Sequence, residues 1–260
     1  KQAIQKLPNN LMIHLVKMQV LLNSNRVLEA KALLKSLDKF EINENLLAGI
    51  EGRILLLERK FAAAIPKLQQ QYQAKPTSVN ATYLAFALQG NNQKAQAIEL
   101  LEQFASEKNV ENKINPRVSL SLANMYLAEH KDKAITEYER LIQVIPNNIV
   151  ALNNLSWLYM DKGKFTQALK HAKHAYAQNA EIPNVVDTYA QVLLKSGEKV
   201  AALVKAEEAY KLSEGKNIDI ALNFVEALIG NNKNKAAKDI LGGIKAVTIA
   251  QKEKKLLLSE

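Results

Sequence analysis

His171 and His174 are the pair of side chains in this sequence whose spacing best suits chemistry. Three residues apart on a helix, they would share one face and could bind a metal ion together. No carboxylate falls one helical turn away on that face, and the other two histidines, His14 and His130, are distant in sequence. We therefore expect no metal site and interpret the pair as ordinary helix surface.

The signatures of catalysis are also missing from the sequence. It contains no Gly-rich phosphate-binding loop, no HExxH motif and no GxSxG motif. Because it has no cysteine, it can form no disulfide, thiol nucleophile or Cys-based zinc site. We predict that the chain is not an enzyme and uses no cofactor. An active site assembled across separate repeats is the opposing hypothesis.

Charge offers another kind of chemistry, the binding of nucleic acid or another anionic polymer. The 35 Lys and Arg residues exceed the 26 Asp and Glu residues, for a formal net charge of +9. The densest cluster, Lys252, Lys254 and Lys255, is interrupted by Glu253. Scattered lysines are typical of a solvated helix surface, so we expect this cluster to face solvent. Binding of an anionic polymer or nucleic acid through scattered lysines is kept as the alternative function.

The elements that would position any site are helices. Only 9 Gly and 6 Pro interrupt the 260 residues, of which 48% are hydrophobic. Good helix formers dominate, and no alternation of apolar and polar residues lasts for the length of a strand. The sequence therefore predicts an all-α fold. No apolar run reaches the roughly 20 residues that cross a bilayer, and residues 1–10 lack the apolar core of a signal peptide.

Prolines mark an internal repeat. Pro8, Pro76 and Pro146 are 68 and 70 residues apart, which is close to two periods of about 34 residues. Small Ser156 and Ala168 would let two antiparallel helices approach closely, and Gly163 would allow a positive φ in the turn between them. The unit that begins at Ile149 shows the pattern of large, small and turn residues most clearly: Leu152, Leu155, Ser156, Tyr159, Gly163, Phe165, Ala168, Ala172 and Ala175.

This pattern resembles the tetratricopeptide (TPR) repeat. The resemblance implies a right-handed solenoid of about seven antiparallel helix hairpins. Residues 1–10 then look like the end of a preceding repeat, 11–148 hold about four degenerate repeats, 149–251 hold three repeats, and 252–260 form a C-terminal capping helix or tail. An uncovered repeat leaves an apolar stripe exposed, so we expect the natural protein to continue upstream with further repeats.

In TPR proteins the first helix of each hairpin lines a concave groove that binds a peptide or a partner helix. The resemblance implies a non-enzymatic scaffold with a protein or peptide partner rather than nucleic acid. Asn and Gln amides both donate and accept hydrogen bonds, which suits an extended backbone. Trp157 either anchors a partner in the groove or fills the seam between hairpins. The groove positions are Asn124, Asn153, Asn154, Trp157, Asp187, Gln191, Asn223 and Glu226.

A narrower resemblance covers residues 146–188. The block ALNNLSWLY that ends at Tyr159, followed by Pro183, Asp187 and Thr188, is similar to the C-terminal repeats of TPR-repeat lipoproteins of the bacterial PEP-CTERM sorting system, which is tied to exopolysaccharide export. Ser156 replaces the alanine of that family. The resemblance implies a periplasmic or outer-membrane-associated protein with a lipid anchor upstream; otherwise a cytoplasmic location stays open. Scaffolds of pilus biogenesis and polysaccharide secretion are rival families.

Overall fold

The computed structural model describes residues 10–106 and 114–259, and within those ranges it contains fifteen helices and no strand. The all-α prediction is confirmed. Nine of the ten residues assigned above to a preceding repeat lie outside the described ranges. The helices are α1 Leu11–Asn23, α2 Val27–Lys35, α3 Glu44–Leu57, α4 Phe61–Ala74, α5 Ser78–Gly90, α6 Lys94–Ser106, α7 Pro116–Tyr126, α8 Lys131–Val144, α9 Ile149–Asp161, α10 Phe165–Gln178, α11 Pro183–Lys195, α12 Lys199–Leu212, α13 Ile218–Gly230, α14 Asn234–Gly243 and α15 Ile249–Leu257.

The helices are organised as hairpins in two compact units, Lys1–Met125 and Tyr126–Glu260. In the first unit, α1 packs with α2, α3 with α4 and α5 with α6, and α7 follows. In the second unit, α8 precedes the hairpins α9/α10, α11/α12 and α13/α14, and α15 comes last. Together with the consecutive helices α7 and α8, these hairpins confirm the predicted TPR-like architecture. No helix in the described ranges is long and apolar enough to span a membrane.

The turn inside each of these six hairpins contains one residue with a left-handed backbone, two positions before the second helix begins. Glycine and asparagine adopt this conformation at little cost, and five of the six turns use them. The positive φ predicted for Gly163 is confirmed at 69°. The six residues are Asn25, Arg59, Asn92, Gly163, Gly197 and Asn232.

Arg59 is the exception in this set, with a φ of 60°. We expect Arg59→Gly to raise the free energy of unfolding by about 1 kcal/mol, because glycine removes the clash between Cβ and the following carbonyl. Arg59→Ala keeps the Cβ while removing the guanidinium, so it serves as the control and should give no gain. Urea-induced unfolding of the three proteins measures the difference. An equal gain in both variants would locate the effect in the arginine head group instead of the backbone.

Small residues set the distance between the two helices of a hairpin. Gly52 shows how close the approach is, because a Cβ added there would lie 2.7 Å from Cγ of Leu68 on the partner helix. Ser156 and Ala168, predicted to allow such an approach, are both fully buried. Larger side chains at these sites would push the helices apart. The fourth residue of each second helix is a buried alanine: Ala30, Ala64, Ala97, Ala134, Ala168, Ala202 and Ala237.

Candidate functional site

In the second unit, the first helices of successive hairpins lie side by side: α9 packs with α11, α11 with α13, and α13 with α15. We call the face that they form the first-helix face of the second unit. Seven of the eight predicted site residues are carried by α9, α11 and α13. The eighth, Asn124, is an exposed residue of α7 in the first unit.

A chain of polar contacts connects α11, α13 and α15 across this face. Asn223 Nδ2 donates to Asp187 Oδ2 at 2.7 Å, and Asn223 Oδ1 accepts a hydrogen bond from Lys254 Nζ. Glu226 binds Lys195 Nζ at 2.7 Å through one oxygen and Lys254 Nζ at 2.8 Å through the other. The structure thus joins the predicted residues Asp187, Asn223 and Glu226 into one network.

Lys254 was not predicted to belong to the site. The expectation that Lys252, Lys254 and Lys255 form a solvated cluster is correct for the exposed Lys252 and wrong for the other two. Lys254 contacts the site, and Lys255 Nζ donates to the carbonyl oxygen of Ile244 at 2.6 Å. The reason is that α15 lies against α13, where Gln251 Nε2 also donates to Asp219 Oδ1 at 3.0 Å. Charge spacing alone carries no information about this docking.

The α15 helix begins at Ile249, so its first three residues lie in the range assigned above to the third repeat. Its start is built locally: the Thr248 side chain accepts from the backbone N–H of Gln251, and the Gln251 side chain accepts from the Thr248 N–H, a capping box. This cap positions Gln251 and Lys254 one turn apart on the side that faces α13.

The Asp187 carboxyl group is unusual because of its surroundings. Burial raises its pKa to about 6, although the hydrogen bond from Asn223 and the charge of Lys254 act in the opposite direction. The nearby carboxylates Asp219 and Glu226 add to the rise. For Glu226, burial also favours the neutral form, but Lys195 and Lys254 lower its pKa below the ordinary value. Asp187 is therefore the carboxyl of this network that is protonated most readily near neutral pH.

Three buried polar atoms on α9 and α11 have no hydrogen-bond partner among the described residues: Asn153 Oδ1, Asp187 Oδ1 and Gln191 Nε2. Only 8% of Gln191 is exposed. Asn153 and Asp187 are 34 residues apart and occupy the same position in consecutive hairpins. Each such atom costs about 1–3 kcal/mol relative to a paired one, so three unpaired groups on two adjacent helices require an explanation.

The other two predicted residues of α9 differ from Asn153. Asn154 Nδ2 donates to the hydroxyl of Tyr138 at 2.6 Å, so this amide already has an internal partner. Trp157 is 41% exposed, so its side chain is not enclosed between hairpins and keeps a surface that a partner could contact. Its ring lies 5.0 Å from Lys131 Nζ, and Lys131 also pairs with Asp161 at 2.7 Å. Trp157 therefore presents a flat aromatic surface flanked by a cation.

The histidine pair has structural contacts. The ring of His171 stacks on Tyr159 with centroids 5.7 Å apart, and burial lowers the pKa of His171. His174 Nε2 forms a hydrogen bond with Asn147 Oδ1 at 2.9 Å. Over the part of the chain that the structure describes, no group of three His, Asp or Glu side chains is placed to hold a metal ion.

Comparison with known proteins supports the fold assignment. No protein-family model matches the chain, and no curated protein matches it. Among solved structures, it resembles MamA (MSR-1), with 20% identity, a TM-score of 0.55, and coverage of 66% of this chain and 98% of MamA. It also resembles the C-terminal part of a TPR repeat-containing protein from Cytophaga hutchinsonii, with 13% identity, a TM-score of 0.64, and coverage of 92% and 98%.

A third structure extends the likeness over nearly the whole chain. One chain in the structure of the APC/C hetero-tetramer Cut9-Hcn1 aligns with 99% of this chain at a TM-score of 0.75 and 14% identity, and this chain spans 51% of the length of that chain. Identities this low concern the fold and not the function. The chain is therefore an all-α protein with the TPR fold.

Proposed function

We propose that the first-helix face of the second unit binds an extended segment of a protein partner and that the chain is a non-enzymatic scaffold. The observation that carries this proposal is the group of three buried polar atoms without partners, Asn153 Oδ1, Asp187 Oδ1 and Gln191 Nε2. A binding surface can leave such groups unpaired in the free protein because the ligand supplies their partners.

The hydrogen-bonding types of these three atoms indicate which class of ligand can pair with them. Asn153 Oδ1 and the ionised Asp187 Oδ1 accept hydrogen bonds, whereas Gln191 Nε2 donates one. An extended peptide offers N–H and C=O groups along its backbone and can satisfy both kinds. A phosphodiester backbone offers acceptor oxygens only, and it would meet the carboxylates of Asp187 and Glu226. The surface therefore favours a peptide over the anionic polymer of the alternative hypothesis.

Trp157 adds an apolar contact to this polar arrangement. Its exposed ring is on α9, one helical turn after Asn153. Tryptophan is enriched among the residues that dominate binding energy, because a large ring buries much area at a small cost in side-chain entropy. We infer that Trp157 receives an apolar side chain of the bound segment while the amides hold its backbone.

Selection from a displayed library of random twelve-residue peptides, followed by fluorescence anisotropy of the selected sequences, tests the proposal. The variant Asn153→Ala with Gln191→Met should bind the selected peptides at least tenfold more weakly, since two hydrogen bonds of the complex are lost. Gln191→Met alone should raise the free energy of unfolding by about 1 kcal/mol, because it removes an unpaired buried amide. Weaker binding would then not result from unfolding.

The matched control is Gln178→Met with Asn234→Ala, which makes the same chemical changes at exposed positions of second helices. It should leave the anisotropy titration unchanged. Equal affinity of the Asn153 and Gln191 variant and the unmodified chain would refute the proposal. Binding of a single-stranded oligonucleotide that weakens steeply with salt and is unaffected by both variants would support the anionic-polymer alternative.

We further propose that the full protein is a bacterial TPR lipoprotein of the PEP-CTERM and exopolysaccharide-export type, periplasmic or outer-membrane-associated, with additional repeats and a lipid anchor upstream. The block at residues 146–188 supports this, and so does the TPR fold. The division into degenerate repeats at 11–148 and well-formed repeats at 149–251 belongs to the same proposal. The full-length gene product tests it: an N-terminal lipobox cysteine is expected, and a leaderless start close to Lys1 would contradict it.

A further inference from the structure

The first unit contains a cleft that none of the preceding arguments uses. Its volume is about 230 Å³, and it lies on the face formed by α1, α3 and α5, the first helices of three hairpins. Its apolar walls include Met18, Leu22 and Ile50. Polar side chains line it as well: Arg53 on α3 and Gln71 on α4, together with Gln19, Asn80 and Tyr83. The cleft therefore combines apolar walls with several polar side chains, as ligand sites do.

Arg53 has no acidic partner in this cleft. Its guanidinium donates to two neutral amide oxygens, Gln19 Oε1 at 2.7 Å and Asn23 Oδ1 at 3.1 Å, and it lies 4.4 Å from the ring centroid of Tyr83. No Asp or Glu among the described residues forms an ion pair with it. Burial lowers the pKa of Arg53, and the positive charge of Arg117 acts in the same direction. A half-buried, uncompensated cation of this kind is stabilised by an incoming anion.

Whereas Arg53 is a cation without an anionic partner in the described part of the chain, Gln71 has an acceptor oxygen without a donor. Its Oε1 is buried and has no hydrogen-bond donor among the described residues. The head of this side chain occupies the space above Gly49, where an added Cβ would lie 2.0 Å from Gln71 Cδ. Gly49 thus allows the amide to reach the cleft from the second helix of the hairpin. The cleft lacks both an anion for Arg53 and an N–H donor for Gln71.

We propose that this cleft binds a peptide segment that carries a carboxylate next to apolar side chains. The carboxylate pairs with the Arg53 guanidinium, whose planar fork matches its two oxygens, while a backbone N–H of the segment donates to Gln71. The apolar walls receive the neighbouring side chain. A phosphate polymer would satisfy Arg53 and leave Gln71 unpaired, so a peptide fits better. Either a glutamate side chain or a chain terminus can supply the carboxylate. The site is independent of the second-unit surface.

Three pentapeptides titrated into the ¹⁵N-labelled full chain test this site by NMR. The first has one glutamate between two leucines and both ends blocked. The second has glutamine instead, and the third is the glutamine peptide with a free C-terminal carboxylate. We expect the glutamate peptide to shift the signals of Arg53 Nε–H and of Gln19, Gln71 and Tyr83, and the blocked glutamine peptide to bind at least tenfold more weakly. Binding of the third peptide alone would assign the carboxylate to a chain terminus and still support the site.

The variants Arg53→Gln and Arg26→Gln distinguish binding at this cleft from a general attraction of the peptide to positive charge. Arg26 lies in the same unit but is exposed and paired with Glu29, so its removal should leave the titration unchanged. Arg53→Gln should abolish the preference for glutamate over glutamine. If that variant does not fold, the comparison of the two blocked peptides on the unmodified chain decides. Equal shifts from both blocked peptides, with no tighter binding of the peptide that has a free C-terminal carboxylate, would overturn the proposal, and so would an oligonucleotide that shifts these signals when no peptide does.

Discussion

Replacing Tyr138 with alanine is expected to lower the free energy of unfolding of the second unit by about 3–5 kcal/mol. Among the residues that the structure describes, Tyr138 is the largest fully buried side chain, with 0% of its surface exposed. Burial raises the pKa of its hydroxyl to about 12. Its loss would leave a cavity the size of an aromatic ring. It would also remove the acceptor of Asn154 Nδ2 and leave that group unpaired.

Tyr138→Phe separates these two contributions, since it keeps the ring and removes only the hydroxyl group. We expect it to cost about 1–2 kcal/mol, well below the alanine variant. Urea-induced unfolding should be combined with hydrogen exchange of the α8, α9 and α10 amides, because repeat arrays need not unfold in a single step. A similar loss in both variants would show that the helices collapse into the space that the ring occupied.

Replacing Asp187 with asparagine is expected to stabilise the chain at pH 7 by up to about 3 kcal/mol. The pKa of Asp187 is about 6 in the folded chain against an ordinary value of 3.8, and each unit corresponds to about 1.4 kcal/mol. Between these two values the folded state binds more protons than the unfolded state. Stability therefore falls as the pH rises from about 4 to about 6. The asparagine side chain does not titrate, so the difference in the free energy of unfolding in favour of the variant grows as the pH rises from about 4 to about 6.

Thermal unfolding at pH 4 and pH 7 measures this effect as the difference between variant and unmodified chain. The melting temperature of Asp187→Asn should exceed that of the unmodified chain by several degrees at pH 7 and by much less at pH 4. Asp161→Asn removes the same charge from an exposed ion pair and should change stability by no more than about 1 kcal/mol. A gain at pH 7 that persists unchanged at pH 4 would show that ionisation of Asp187 is not its cause.

The Asp187 variant also bears on the proposed binding surface. Asparagine at this position can still accept from Asn223, but it carries no charge to attract a backbone N–H of the partner. We expect Asp187→Asn to raise the free energy of unfolding and also to weaken peptide binding, because a buried charge that destabilises the free protein can contribute to binding. Unchanged peptide binding would limit the role of Asp187 to the polar network of α11, α13 and α15.

Much of the hairpin architecture was open to prediction because its causes are local. The small residues Ser156 and Ala168 are spaced for two helices in close contact, and both are buried where the repeat pattern places them. Gly163 has the positive φ that its turn requires. Helical period and turn chemistry act over a few residues, so their consequences can be worked out without any knowledge of the neighbouring hairpin.

The candidate sites depended on contacts between helices that are distant in sequence. Asn153 and Asn154 are adjacent and of the same type, yet Asn154 is paired with Tyr138 while Asn153 Oδ1 is unpaired. Lys254 belongs to the polar network because α15 packs against α13. No sequence motif predicts that contact.

The amino-acid pattern thus determined the helices and the turns that pair them, and the resemblance to TPR repeats indicated which helix face to consider. Which polar groups are satisfied, buried or shifted in pKa was decided by the folded chain. Arg53 illustrates this: in sequence it is one cation among many, and its significance arises because its partners among the described residues are neutral amides and an aromatic ring instead of a carboxylate. The energy of a polar group depends on the atoms within a few ångströms of it. For Arg53, two of the groups that decide this energy, Gln19 and Asn23, lie 34 and 30 positions away in the sequence.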